Sequence, residues 1–174
     1  HACVHSAPLE PARTHAQPAL LFLKLAGGRF EDAGDRAGPP LTTAAVRRGL
    51  ACGDLDNHGR LDLVVVDFPG KPTWWFQNAG NSADQPWKKH QIVPVTNDES
   101  PQFADVDGDG RRELIYGDGA NRIALARPQA NPLVEWMARP ISAPGDVKVV
   151  NFYHGLGIGD VNKDGREDVL VPNG

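Results

Sequence analysis

Three stretches of the chain superimpose without a gap: GDLDNHGRLDLVVV from Gly53, ADVDGDGRRELIYG from Ala104 and GDVNKDGREDVLVP from Gly159. Their first aspartates, Asp54, Asp105 and Asp160, stand 51 and 55 residues apart. A period of that length is one supersecondary unit per repeat. It is too long for a leucine-rich or ankyrin unit and suits a four-stranded blade.

The segments between the motifs agree with each other. Each loop opens onto a β-rich stretch: Leu61 to Val66, Glu113 to Tyr116 and Asp168 to Val171. In the first two repeats a second stretch follows (Thr73 to Gln77, Asn121 to Leu125), then a Trp-led one (Trp87 to Ile92, Trp136 to Ile141). Clusters such as Pro69-Gly70-Lys71-Pro72 and Asn78-Ala79-Gly80-Asn81 separate them. Short strands alternating with turn chemistry predict antiparallel sheet. The 19 Gly and 15 Pro punctuate the chain too often for long helices. No window sustains an i, i+3, i+4 apolar pattern.

Each motif has the form D-x-[DN]-x-[DH]-G-R-x-[DE]. Side chains at positions 1, 3 and 5 of a tight loop converge on one point, and Gly at position 6 (Gly59, Gly110, Gly165) permits the sharp turn. Position 7 presents a backbone carbonyl and position 9 a further carboxylate. The candidate ligands are therefore Asp54, Asp56, His58, Arg60 and Asp62 in the first loop. In the second they are Asp105, Asp107, Asp109, Arg111 and Glu113, and in the third Asp160, Asn162, Asp164, Arg166 and Asp168. The arginines would contribute only their carbonyls. An all-oxygen cage suits Ca²⁺, one ion per loop, with the smaller Mg²⁺ as the alternative occupant. His58 is a poor calcium ligand, so the first loop is expected to bind more weakly or through water. An EF-hand is excluded: its loop needs a bidentate Glu at position 12 and flanking helices, whereas Val65, Tyr116 and Val171 stand there among strand formers. The ions would be structural, since clustered carboxylates repel one another unless neutralised.

Ten of the 22 acidic residues occupy these loop positions, which leaves a slightly basic remainder behind the net charge of −4. The bases occur as scattered pairs (Arg47-Arg48, Lys88-Lys89, Arg111-Arg112) rather than as a stripe, which argues against nucleic-acid binding. No apolar run approaches the ~18 residues that cross a bilayer. Cys3 and Cys52 make no disulfide framework and leave the redox compartment open. Residues 1–18 lack periodicity and are expected to be a disordered N-terminal segment; His1, Cys3 and His5 within it are read as part of that terminus rather than as a metal site.

The loops, their spacing and the strands around them resemble FG-GAP/VCBS repeats, the calcium-loop blades of integrin-α-type seven-bladed propellers. The likeness runs from Leu20 to Gly174. Gly28-Arg29-Phe30-Glu31-Asp32, continuing to Gly53-Asp54-Leu55-Asp56, is similar to secreted bacterial FG-GAP proteins of the ASPIC-associated kind. KPTWWFQN, TNDESPQFADVDGDG and FYHGLGIGDVNKDG are more similar to a bacterial VCBS group resembling the propeller of aldos-2-ulose dehydratase. The expected fold is thus all-β, a partial propeller of four-stranded antiparallel blades, about three of the seven that the resemblance implies. Residues 19–174 form the propeller fragment: the end of one blade at 19–44, blades at 45–95 and 96–145, and the start of the next at 146–174. Propellers close with about 4–8 blades, so further blades of a longer chain are expected as partners.

Two functions follow. One is a calcium-stabilised scaffold or binding module for carbohydrate or protein, placed outside the cytoplasm (secreted, periplasmic or cell-surface) because extracellular calcium fills loops of modest affinity. The resemblance also implies a carbohydrate lyase; no nucleophile elbow, zinc-protease motif or phosphate loop supports another enzyme class. Trp74, Trp75, Trp87 and Trp136 are residues that stack on sugars, although Trp87 and Trp136, at equivalent repeat positions, are better read as blade packing. Trp74 and Trp75 should face opposite sides of a strand, leaving at least one exposed or at an interface. Six residues before the first loop aspartates stand Arg48, Glu99 and His154. On an innermost strand that even offset would place all three at the mouth of the central channel, with Glu99 or His154 as proton acceptor and Arg48 steadying negative charge. Asp98 and the small residues Gly49, Ser100 and Gly155 beside them would leave room for a ligand.

Overall fold

The computed structural model describes residues 16–80, 85–148 and 154–172. The His1–Cys3–His5 group and the expected disordered segment as far as residue 15 lie outside them. Strands β1 (Phe22–Lys24) and β2 (Phe30–Asp32) pair antiparallel. Two one-turn helices follow, α1 (Gly34–Ala37) and α2 (Pro39–Thr42). Four strands then form one antiparallel sheet: β3 (Arg47–Gly53), β4 (Asp62–Asp67), β5 (Lys71–Gln77) and β6 (Lys88–Thr96). The next four form a second: β7 (Gln102–Ala104), β8 (Glu113–Gly117), β9 (Ile123–Arg127) and β10 (Met137–Pro140). The pair β11 (Gly157–Gly159) and β12 (Asp168–Leu170) completes the described structure.

Each four-stranded sheet is an up-and-down meander in which neighbours in sequence are neighbours in the sheet. The fold is all-β in the form of four-stranded antiparallel blades. The helices were invisible to periodicity because a single turn carries no 3.6-residue repeat. Local geometry makes them: Gly38 at φ 73° ends the first, and Pro39 starts the second where a missing N–H costs nothing. On the near side of the expected propeller start, Gln17 exchanges backbone hydrogen bonds with Ala45 at 3.1 Å.

The second strand of each sheet is apolar without alternation because both its faces are covered. Val64 and its partner Trp75 join Ile92, Leu114, Tyr116, Ala124, Ala126 and Trp136 in a core between the two sheets. Leu63 and Val65, on the other face, pack with Phe76 and Leu41. In the second sheet Leu114 and Tyr116 face the first, while Ile115 turns the other way toward Leu156, Ile158 and Val169. Side-chain alternation along one strand therefore glues each sheet to a neighbour on both sides, which is how blades stack. Backbone bonds stitch the same interface: Trp136 N–H donates to Ile92 O at 2.9 Å, and Asn97 N–H to Gly117 O at 2.8 Å.

Candidate metal centres and the cross-blade cluster

Every loop sits between the first and second strands of its sheet and is closed by one lattice of hydrogen bonds. The carboxylate at position 1 accepts from the N–H of the position-6 glycine: Gly59 to Asp54 and Gly110 to Asp105 at 2.8 Å, Gly165 to Asp160 at 2.9 Å. The carboxylate at position 9 reaches back to the N–H at position 2: Leu55 to Asp62 and Val106 to Glu113 at 3.1 Å, Val161 to Asp168 at 3.0 Å. Position 3 accepts from the N–H of position 5 in every loop, at 3.2 Å on Asp56, 3.3 Å on Asp107 and 2.9 Å on Asn162. These contacts fold the loop and crowd its carboxylates together.

The three loops differ in which oxygens meet. In the first, Asp54, Asp56 and Asp62 each bring a carboxylate oxygen within 4.8 Å of the others; the position-9 residue belongs to this group and His58 does not. The His58 ring instead lies 2.8 Å from Asp56, Nδ1 to Oδ2. In the second loop Asp105, Asp107 and Asp109 meet, without Glu113. In the third, Asn162 Nδ2 donates to Asp164 at 3.2 Å, and Arg166 N–H to the other oxygen of Asp164 at 2.9 Å. The position-7 side chains are all exposed; Arg60 runs out to Asn78 O at 3.2 Å.

Burial of carboxylates leaves its mark on their acidity. Desolvation pushes Asp62 up despite N–H donors from Asn78 and Leu55, and the charge of Asp56 adds to the rise. Glu113 is also pushed up by burial, against the Val106 N–H, with Asp109 and Asp105 reinforcing it. Burial works against ionised Asp56 too, but Gln77, the His58 N–H and the His58 ring hold it below its ordinary value. Oxygen-only donors, mutually repelling and partly desolvated, are a donor set that fits a hard divalent cation. Asp54, Asp56 and Asp62, and Asp105, Asp107 and Asp109, are the residues that would hold one.

The structure brings Arg48, Glu99 and His154 together. Arg48 Nε lies 3.1 Å from Glu99 Oε1, and His154 Nε2 lies 3.0 Å from Glu99 Oε2. Strand parity is not the reason. The register of β3 slips between Arg47 and Gly49, so Arg48 sits at a bulge, and Glu99 and His154 precede β7 and β11 rather than lying in them. Ser100 Oγ accepts from Gly155 N–H at 2.8 Å, which ties the same two segments. Packing fills the space at Gly155, where a Cβ would come 2.9 Å from Pro172, whereas one on Gly49 would make ordinary contact with Val66 at 3.5 Å. Asp98 is fully buried, accepts from Gly117 N–H at 2.9 Å and has a second oxygen without a hydrogen-bond partner. Desolvation raises its pKa to about 6, against the N–H of Gly117.

The model of the FG-GAP-like repeat family matches residues 54–116 and again 105–171, each match running from one loop through the start of the following blade. The two matches together cover well over half of the chain. The chain belongs to the FG-GAP-like repeat family. Searches of curated proteins and of solved structures returned no match. As FG-GAP-like repeats its blades form a propeller-type scaffold, and no helix among the described residues is long and apolar enough to cross a membrane.

The aromatic residues belong to that scaffold. Trp75 and Trp136 are buried between the sheets, and Trp87 packs on the opposite face of the first blade. Trp74 does face away from Trp75, half-buried at that same face, with the Lys89 ammonium 3.7 Å from its ring centre. Cys52 is a free, exposed thiol. It lines a cleft of about 360 Å³ between the first two loops, with Asp54, Leu61, Phe103, Arg111 and Arg112 around it. Reading the repeats singly overlooked Gln77 and Arg127, the strand-end residues that touch Asp56 and Asp107. Both are one position past the apolar run of the third strand, and that is the only signal the sequence carries for them.

Proposed function

We propose that this FG-GAP-like repeat protein is a calcium-stabilised, extracytoplasmic propeller module that serves as a rigid scaffold for a carbohydrate or protein ligand. The observation that carries the reading is the recurrence of one loop lattice in successive blades, with carboxylate trios drawn within 4.8 Å in two of them. The ligands would be those at positions 1, 3, 5 and 9 and the carbonyls of Arg60, Arg111 and Arg166. The blades run 45–95 and 96–145, flanked by residues 19–44 and 146–174 as parts of neighbouring blades in a larger ring. Calcium relieves carboxylate repulsion at the inner end of each blade and so couples blade stability to the extracellular ion. Mg²⁺, which requires near-octahedral geometry at shorter distances, is the poorer occupant.

Thermal unfolding with calcium and with EDTA tests this. Each site held at a hundredfold excess over its Kd adds about 2.7 kcal/mol, so the midpoint should rise clearly in calcium and fall on chelation. An unchanged midpoint, with no metal found by elemental analysis, removes the reading.

A second reading, a carbohydrate lyase related to aldos-2-ulose dehydratase, draws on the Arg48–Glu99–His154 cluster. Its His154 side chain is 67% exposed beside a Glu99 that is 11% exposed. An exposed imidazole backed by a carboxylate can accept a proton, and Arg48 can steady the negative charge that develops. Glu99→Gln and His154→Ala should then abolish sugar turnover or binding and leave calcium-dependent stability intact. If neither variant alters either property, the cluster is only a clasp between blades.

A further inference from the structure

The two four-stranded blades differ where the third strand returns to the loop. Leu63 pairs with Phe76, and Leu114 pairs with Ala126. The next residue of the third strand, past the last pair of each ladder, is Gln77 in the first blade and Arg127 in the second. Gln77 Nε2 donates to Asp56 Oδ2 at 2.7 Å. Arg127, in the same place, forms an ion pair with Asp107, and its Nε lies 3.8 Å from Glu113 Oε1. A neutral amide in one blade is replaced by a guanidinium in the other.

The following residue widens the difference. Asn78 N–H donates to Asp62 Oδ1 at 2.7 Å, so both oxygens of Asp62 hold backbone donors. The counterpart of Asn78 is Pro128, which has no N–H to give. Glu113, fully buried, therefore keeps Oε2 on Val106 N–H and leaves Oε1 without a hydrogen-bond partner. A buried carboxylate oxygen in that position is costly unless a cation is near it. The second loop thus has four carboxylates, one with an orphaned oxygen, and a single side-chain cation reaching both Asp107 and Glu113.

We infer that Arg127 is a built-in counter-cation of the second loop, which competes with a divalent ion for Asp107 and sets the affinity of that loop. The inference rests on the calcium reading above. In the metal-free protein the guanidinium satisfies the charge of Asp107 and stands by the Glu113 oxygen; a bound ion takes over that charge and releases Arg127 from Asp107. The third strand of the first blade offers no such competitor, because Gln77 carries no charge; the ring that meets Asp56 there is His58, a residue of the loop itself. Affinity in this chain is then set from the third strand as well as by the loop residues.

Calcium titration calorimetry on the full chain tests this with the reciprocal pair Arg127→Gln and Gln77→Arg, the sites being assigned by their loss in Asp105→Asn and Asp54→Asn. Removing one charge-assisted contact should tighten the second-loop site of Arg127→Gln by about tenfold or more. Gln77→Arg should weaken the first-loop site by a similar factor. In EDTA the order reverses, and Arg127→Gln should melt below the wild type because Asp107 and Glu113 lose their cation. An unchanged or weakened second site in Arg127→Gln overturns the inference and leaves calcium binding itself in place. If that variant does not fold, the Gln77→Arg arm decides, and an unweakened first site is the overturning result. Absence of calcium binding by the wild type would instead sink the calcium reading, and the inference with it.

Discussion

At the fourth position of every loop the backbone turns left-handed: φ is 58° at Asn57, 77° at Gly108 and 62° at Lys163. Gly and Asn tolerate that region, but a lysine held there costs about 1–2 kcal/mol relative to an unstrained backbone. Lys163→Gly should therefore stabilise the protein by about 1 kcal/mol, part of the gain being lost to the freer unfolded chain. Gly108→Lys should cost a similar amount, since a Cβ on Gly108 meets nothing within 4 Å and only backbone strain is at stake. Urea unfolding midpoints measure both, and a Lys163→Gly variant no more stable than the wild type would contradict this account. The sixth-position glycines were legible from the motif. The fourth position was not, because Asn, Gly and Lys share no side-chain property; what they share is a dihedral angle. Arg127 and Pro128 were hidden for a related reason. The second repeat is one residue shorter between its second and third strands, so an ungapped alignment of the loops sets Gln77 against Pro128 rather than Arg127.

The strands were the most legible elements, since turn residues bracket each one and the apolar runs of β4 and β8 are too short for helices. What the sequence could not show is which neighbour each face meets, and the structure resolves that by alternation: Val64 toward the second blade, Leu63 and Val65 away from it. The Trp-led segments illustrate the consequence. Trp136 and Trp87 each immediately precede the fourth strand of their blade, yet Trp136 is 4% exposed within the core between the blades, whereas Trp87 is only partly buried at the edge of the opposite cluster. Trp136→Ala should cost about 3–5 kcal/mol through lost burial and the cavity left behind. Trp87→Ala should cost clearly less. The difference in unfolding free energy between the two variants measures how far the blades depend on each other. Equal losses would mean that the interface core contributes no more than the flanking cluster.

Across the whole molecule, the buried acids make stability depend on pH in a direction opposite to ordinary acid denaturation. Asp98 ionises near pH 6 in the folded protein and near 3.8 when unfolded. Its folded pKa is raised, so its contribution is fully present below the unfolded value and is lost as pH rises through the folded one. A shift of that size corresponds to a loss on the order of 3 kcal/mol between about pH 4 and pH 6. Asp62 and Glu113, raised by burial when no cation is bound, act in the same sense. Asp56, which is held low, has its effect below this window. In EDTA the protein should therefore be more stable at pH 5 than at pH 7. Saturating calcium should remove the share due to the loops, because an ion favours the ionised carboxylates there, and leave the share due to Asp98. Asp98→Asn separates the two. It keeps an acceptor for Gly117 N–H and carries no charge, so with calcium present it should lose the decline from pH 5 to 7 that Asp98 gives the wild type, leaving the opposite, rising contribution of His90, whose pKa burial lowers. Thermal midpoints at both pH values, with and without calcium, read all four states. An Asp98→Asn variant whose change in midpoint from pH 5 to 7 equals that of the wild type, in calcium, would show that Asp98 ionises freely in the folded blades.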